Sequence, residues 1–230
     1  MASETLTFTS GGEPIRIEAV RAPQPGFRPA VVLLHGADGL TRGDHYRLAA
    51  QLVASAGYHT FLLHYLDRTR ELRADYRKIK QHLPHWVRTV RDALDFVLQQ
   101  PGVQAECLGL IGTSLGAGIA FAAAADDDRI KAIVDYFGFL PETVKASAAR
   151  LPPTLILHGA LDAIVPVQNA NAIEALLQRL NVPHELHIYP DQAHSFRGDA
   201  ALDAAHRTAT FLQRYLPASG GVLKSAGQSP

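Results

Sequence analysis

From residue 30 onward, short apolar runs alternate with stretches of helical period, and this alternation most narrows the folds open to the chain. Val31-Val32-Leu33-Leu34, Phe61-Leu62-Leu63, Cys107–Ile111, Ile130–Tyr136, Thr154–Leu157 and Glu185–Tyr189 each read as a strand. Runs that are apolar at successive positions suit strands covered on both faces. Between them lie helical stripes. Leu48, Leu52, Val53 and Ala56 form one, and Trp86, Val90, Ala93, Leu94 and Val97 the clearest. Residues 115–125 are alanine-rich, Ile173, Leu176, Leu177 and Leu180 mark another face, and Leu202, Ala205, Ala209, Leu212 and Leu216 the last. Strands alternating with helices predict an α/β fold: a mostly parallel central sheet with helices on both faces. Its functional residues are expected at the carboxyl ends of the strands.

Ahead of this repeat, residues 5–9 and 15–20 read as two strands joined at Gly11-Gly12, an N-terminal antiparallel hairpin. Residues 66–80 are densely charged and read as a solvated loop or cap segment. Pro84 is expected in the first turn of the helix that carries Trp86, with Pro101-Gly102 ending it. The 230 residues are 47% hydrophobic, enough for a sizeable core. Residues 1–216 are read as a single domain, and 217–230, rich in Gly, Ser and Ala, as a disordered tail.

Charge excludes some functions. Lys plus Arg and Asp plus Glu are both 22, so the basic excess that neutralises phosphates is missing and no nucleic-acid partner is expected. No apolar run approaches the roughly 20 residues of a membrane span. The N-terminus has neither the cationic start nor the apolar core of a signal peptide. One cysteine, Cys107, allows no internal disulfide, and its place in an apolar strand marks it as core. The expectation is a cytoplasmic protein without membrane association. Nothing here sets the oligomeric state, for which a monomer suffices.

Chemistry concentrates at three strand ends. Gly112-Thr113-Ser114-Leu115-Gly116 is a G-x-S-x-G pattern between an apolar strand and the alanine-rich helix. Such a turn strains its serine and projects the hydroxyl at a helix N-terminus, where backbone N–H groups favour negative charge. A serine hydroxyl needs a base. His194, in D-Q-A-H-S-F after the strand ending at Tyr189, can supply it. Asp162, in H-G-A-L-D-A-I-V-P after Thr154–Leu157, can orient the imidazole. Ser, then Asp, then His is the chain order of α/β-hydrolases. Oxyanion donors are expected from the backbone N–H groups of Leu115 and of Ala37, the latter in H-G-A-D-G after the first long strand. Asp135 competes with Asp162 as the acid but lies inside a predicted strand. His82 and His85 lack a third ligand, so no metal site is expected, and no nucleotide-binding glycine pattern is found.

Together, H-G-A-D-G at 35–39, G-T-S-L-G at 112–116, Y-F-G at 136–138, H-G-x-x-D-x-x-V-P around Asp162 and A-H-S-F around His194 resemble the dienelactone hydrolase family of α/β-hydrolases, from about Ala30 to Leu216. The resemblance implies the α/β-hydrolase fold and hydrolysis of a small-molecule ester or lactone, without cofactor or metal. The chain departs from the family's name-giving enzymes in carrying Ser114 where they have cysteine, and Gly36 where they have an acidic residue. Serine chemistry is implied, and dienelactone itself is put in doubt. Arg197 lies one residue from a position where the family binds a substrate carboxylate. Arg68, Arg70 or Arg73 stands near the other, and Tyr65 is a candidate for the pocket lining. Thioester or amide cleavage by the same residues, or a silent scaffold that binds a ligand or partner, are the rival readings.

Overall fold

Gly11 and Gly12, both at positive φ, turn the chain between β1 (Ser3–Ser10) and β2 (Glu13–Val20), which pair antiparallel. This hairpin opens the computed structural model, which describes residues 3–41 and 43–218. The tail expectation at 217–230 therefore falls almost wholly outside the described residues. β2 runs antiparallel to β4 (His59–Leu63). The remaining strands are β3 (Arg28–Leu34), β5 (Val103–Thr113), β6 (Ile130–Tyr136), β7 (Thr154–Gly159) and β8 (His184–Tyr189). The eight-stranded sheet has the order β1-β2-β4-β3-β5-β6-β7-β8, parallel from β4 onward. The expected mostly parallel sheet with its hairpin edge is present.

The apolar strand runs are buried on both sides, as their composition requires. On one face α2 (Tyr76–Leu98), α3 (Leu115–Ala124) and α5 (Gln168–Arg179) pack against Val32, Leu34, Phe61, Leu110, Ile133 and Ile156. On the other, α1 (Asp44–Ser55) and α6 (Asp199–Tyr215) cover Val31, Leu33, Leu62, Ile111, Val134 and Leu157. A short α4 (Glu142–Ser147) follows Pro141 and was not expected from the sequence. Among the described residues, no helix is long and apolar enough to cross a membrane.

Three helices differ from expectation. α2 begins at Tyr76, not at Pro84: the Asp75 side chain caps it by accepting from Lys78 N–H at 2.9 Å, and Pro84 lies inside the helix. Packing explains this. Ile79 and Leu83, ahead of the proline, lie against the core, and the Glu71–Lys78 ion pair braces the first turn. Residues 65–69 form a 3₁₀ turn. α1 buries Tyr46, Ala50 and Ala54 rather than the predicted leucine stripe, leaving Leu48 and Leu52 57% and 56% exposed. α6 likewise turns Ala204, Thr208, Phe211 and Leu212 inward and leaves Leu202 outside. In both helices a hydroxyl sets the rotation. Tyr46 OH accepts from Gly36 N–H at 2.8 Å, and Thr208 Oγ1 bonds Tyr136 OH at 2.7 Å.

Candidate active site

β5 runs into Ser114, whose φ of 53° and ψ of −115° are strained for a residue with a side chain. Its neighbours make the turn sterically feasible. A Cβ at Gly112 would lie 2.4 Å from Ala117 Cα, and one at Gly116 would lie 2.1 Å from the Leu34 carbonyl oxygen. Ser114 N–H is held by Tyr136 O at 2.9 Å, while Ser114 O accepts from Ala117 and Gly118 as α3 begins. Ser114 thus stands at a helix N-terminus above the sheet. Leu115, the first helical residue, has an N–H without an intrahelical partner.

The predicted acid and base come together because their loops are sewn to each other. Leu161 N–H donates to Gln192 O and Ala160 N–H to Tyr189 O, both at 2.9 Å. Gly159 permits this crossing, since a Cβ there would meet Gln192 O at 2.3 Å. His194 Nε2 lies 3.0 Å from Ser114 Oγ, and His194 Nδ1 lies 2.7 Å from Asp162 Oδ2. Asp162 is buried, and its Oδ1 accepts the N–H groups of Ile164 and Val165, each at 2.9 Å. These bonds fix the carboxylate, which in turn orients the ring so that Nδ1 donates and Nε2 accepts. A serine hydroxyl with a proton acceptor at hydrogen-bond distance is thereby assembled, the pairing that nucleophilic catalysis requires.

Asp135 is elsewhere. It is fully buried, accepts Gly138 N–H at 2.7 Å, and makes no bond to His194. Burial pushes its carboxyl up to about 7. His158 Nε2 lies 3.5 Å from Asp162 Oδ2, the oxygen that His194 also approaches, and donates to Val165 O at 2.8 Å. Burial lowers its pKa, favouring the neutral ring. Phe137, at φ 44°, brings its ring to 4.7 Å from His194 and packs edge-on against Phe196. Neither aromatic was singled out from sequence. The Y-F-G segment is legible as a motif, but only the left-handed turn after β6 gives it this contact.

The loop at 35–37 is pinned at each residue. Tyr65 OH donates to His35 O at 2.7 Å, Gly36 N–H to Tyr46 OH at 2.8 Å, and Ala74 N–H to Ala37 O at 2.7 Å. His35 stacks on Tyr65 with ring centroids 4.2 Å apart, and burial pushes it down to about 4, so it is neutral near pH 7. Tyr65, expected in the pocket lining, is instead fully buried behind this loop; the 3₁₀ turn after β4 directs its hydroxyl at the backbone. Ala37 lines the Ser114 cleft, as does the exposed Arg197. Arg68 donates to Gly11 O, and Arg70 pairs with Glu13, so both serve the N-terminal hairpin. Neither they nor Arg73 line the cleft.

A family model described as the dienelactone hydrolase family matches residues 17–216. A Yersinia pestis protein provisionally named a carboxymethylenebutenolidase is 24% identical over 211 residues, covering 84% of this chain and 78% of its own length. Other curated relatives are matched over only 37% to 43% of their length. A Klebsiella pneumoniae structure provisionally named a dienelactone hydrolase superposes with a TM-score of 0.82 at 20% identity, covering 93% of this chain and 99% of its own. A dienelactone hydrolase-like promiscuous phosphotriesterase from metagenomic libraries gives 0.81 at 19% identity, covering 93% and 98%. At these identities the structures speak for the fold, which is that of the α/β-hydrolases.

Proposed function

The chain belongs to the dienelactone hydrolase family, and on that premise we propose that it hydrolyses a carboxylic ester or lactone through an acyl intermediate on Ser114. The observation that carries this reading is the continuous line of hydrogen bonds from Ser114 Oγ through His194 to Asp162, at 3.0 and 2.7 Å.

Ser114 Oγ attacks the carbonyl carbon while its proton passes to His194 Nε2. Asp162 accepts from Nδ1–H and stabilises the imidazolium so formed. The tetrahedral oxyanion takes hydrogen bonds from the N–H groups of Leu115 and Ala37. The first is supported by its place at the start of α3. The second is supported by the three bonds that hold residues 35–37, which preorganise the donor before charge develops. Collapse breaks the C–O bond, and His194 returns the proton to the departing alkoxide. In a lactone that alkoxide remains tethered to the acyl group. Water then gives a proton to His194 and attacks the acyl carbon; the bond from that carbon to Ser114 Oγ breaks, His194 returns the proton to Oγ, and the acid leaves. Every step uses a group of this chain, and the sequence of steps calls for no metal or cofactor.

A fluorophosphonate probe tests the reading. The expected result is covalent labelling at Ser114, together with p-nitrophenyl acetate turnover that falls by about 10⁴–10⁶ in Ser114→Ala without loss of thermal stability. No labelling and no hydrolysis of any carboxylic ester, or full activity in Ser114→Ala, overturns it.

A further inference from the structure

The cleft at Ser114 continues well past the proposed catalytic residues. It descends between α1 and α6 over a floor of Leu33 on β3, Ile111 on β5 and Tyr136 on β6. Its volume is about 1110 Å³, just above the roughly 300–1,000 Å³ of ligand pockets, far more than an acetyl group or a small lactone ring fills. Small side chains keep it open. Ala49 and Ala56 stand on one wall, and Ala201, Ala205 and Ala209 on the other. Leucine-sized residues there would fill the space between the two helices. Leu48 and Leu52 run along the α1 wall, and their exposure is what makes that wall apolar over its length. From Tyr46 to Ala56 the wall extends about 15 Å at helical rise.

Polar side chains make up a small part of the lining. Asp38, His45 and Arg197 line the mouth near Ser114. Deeper, the Tyr136 and Thr208 hydroxyls are bonded to each other at 2.7 Å, which leaves the groove little to offer a polar ligand. A ligand with one polar end at the serine and a long apolar remainder fits this division.

We propose that the α1–α6 groove seats an unbranched aliphatic chain, so that the substrate class is a fatty ester rather than a small lactone. The assignment rests on the reading of Ser114 as nucleophile for the position of the ester carbonyl. Continuity of the groove with Ser114 identifies the occupant: a chain whose carbonyl sits at the serine has its tail between the two helices. The chain can belong to the acyl or to the alcohol side of the ester, since both leave the same carbonyl carbon.

Two substrate series test the proposal and separate those sources: p-nitrophenyl acetate, butanoate, octanoate and laurate for the acyl side, and ethyl, octyl and lauryl acetates for the alcohol side. In the series whose chain enters the groove, kcat/KM should rise by about two- to fourfold per methylene, placing the octyl-length member, six methylenes longer, at least about sixtyfold ahead of the shortest. Ala205→Phe, which narrows the groove, should reduce that ratio by about tenfold or more. A flat or falling profile in both series, with Ser114 still labelled and acetate still hydrolysed, overturns the groove assignment and leaves the hydrolase reading intact. Binding judges the groove without catalysis. Laurate titrated into Ser114→Ala should saturate with a negative heat-capacity change, and Ser114→Ala/Ala205→Phe should weaken it. No binding overturns the proposal, whatever the activity. A flat profile in a dimer that Leu52→Asp dissolves overturns it too, and makes this face an interface between copies.

Discussion

Two carboxylates stand near the elbow, and their surroundings divide their roles. Asp162 accepts from two backbone N–H groups and from His194. Asp135 accepts one, from Gly138, and its Oδ2 is buried without a partner. Charge without partners is disfavoured in the interior, which is why burial lifts Asp135 to about 7. Asp162→Asn should therefore lower kcat by about 10⁴, by analogy with loss of the orienting aspartate in other triads. Asp135→Asn should leave it within a few-fold, because the amide oxygen still accepts from Gly138. Stability separates the two as well. Asp135 is raised in the fold above its ordinary 3.8, so the native state holds its proton more tightly. That stabilisation is complete below about pH 3.8 and is lost as pH rises through about 7. Asp135→Asn should raise Tm relative to the parent at about pH 8.5 and much less at about pH 5, read by calorimetry. An equal shift at both pH values would show that Asp135 does not titrate in this range.

At the scale of elements, α2 carries a proline where a helix ordinarily forbids one. Pro84 removes a hydrogen bond and crowds the preceding turn, yet the helix continues because Ile79 and Leu83 pack beneath it. Pro84→Ala should stabilise the chain by about 1–2 kcal/mol: the ~3 kcal/mol propensity difference, less the entropy the proline removes from the unfolded state. The check is a higher urea midpoint with unchanged slope. kcat/KM should not move, since α2 packs on the sheet face opposite α1 and α6. The same helix shows what the sequence leaves illegible. Strands such as Ile130–Tyr136 are readable to the residue because a run this short, with Ile130, Ala132, Ile133, Val134 and Tyr136 apolar and two of them isoleucine, suits a strand better than a helix. The elbow was readable because few turns need glycine on both sides of a serine. The start of α2 was not, since Asp75 as a cap is one aspartate among many charges. Nor was the rotation of α1, where the leucine stripe gave way to Tyr46 because Gly36 N–H needs its hydroxyl. Tyr65 was misplaced for a related reason: its backbone partner, His35 O, lies 30 residues away.

Across the whole molecule, opposite charges are equal in number, so net charge contributes little to acid response near neutrality. Imidazoles wholly or partly buried contribute more. His35, His59, His64, His158 and His187 all have lowered pKa values, with burial the largest cause in each, and His35 reaches about 4. They are spread over β4, β7, β8 and the end of β3, so no single region absorbs their protonation. For a depressed histidine the unfolded chain takes up protons first. The stability it contributes is complete above about pH 6.5 and is lost as pH falls towards the folded value. Asp135 acts in the opposite sense over nearly the same interval, but it is one group against five. Glu18, Asp67, Asp127 and Asp203, lowered by arginine partners, extend the loss to more acid conditions. Tm should accordingly fall steadily from about pH 6.5 to about pH 4, and Asp135→Asn should steepen that fall by removing the opposing group. A Tm that stays level across this interval would mean that the buried rings protonate within the intact fold. The neutral stack of His35 on Tyr65, and the loop at 35–37 that it supports, would then have to tolerate a charge that their packing disfavours.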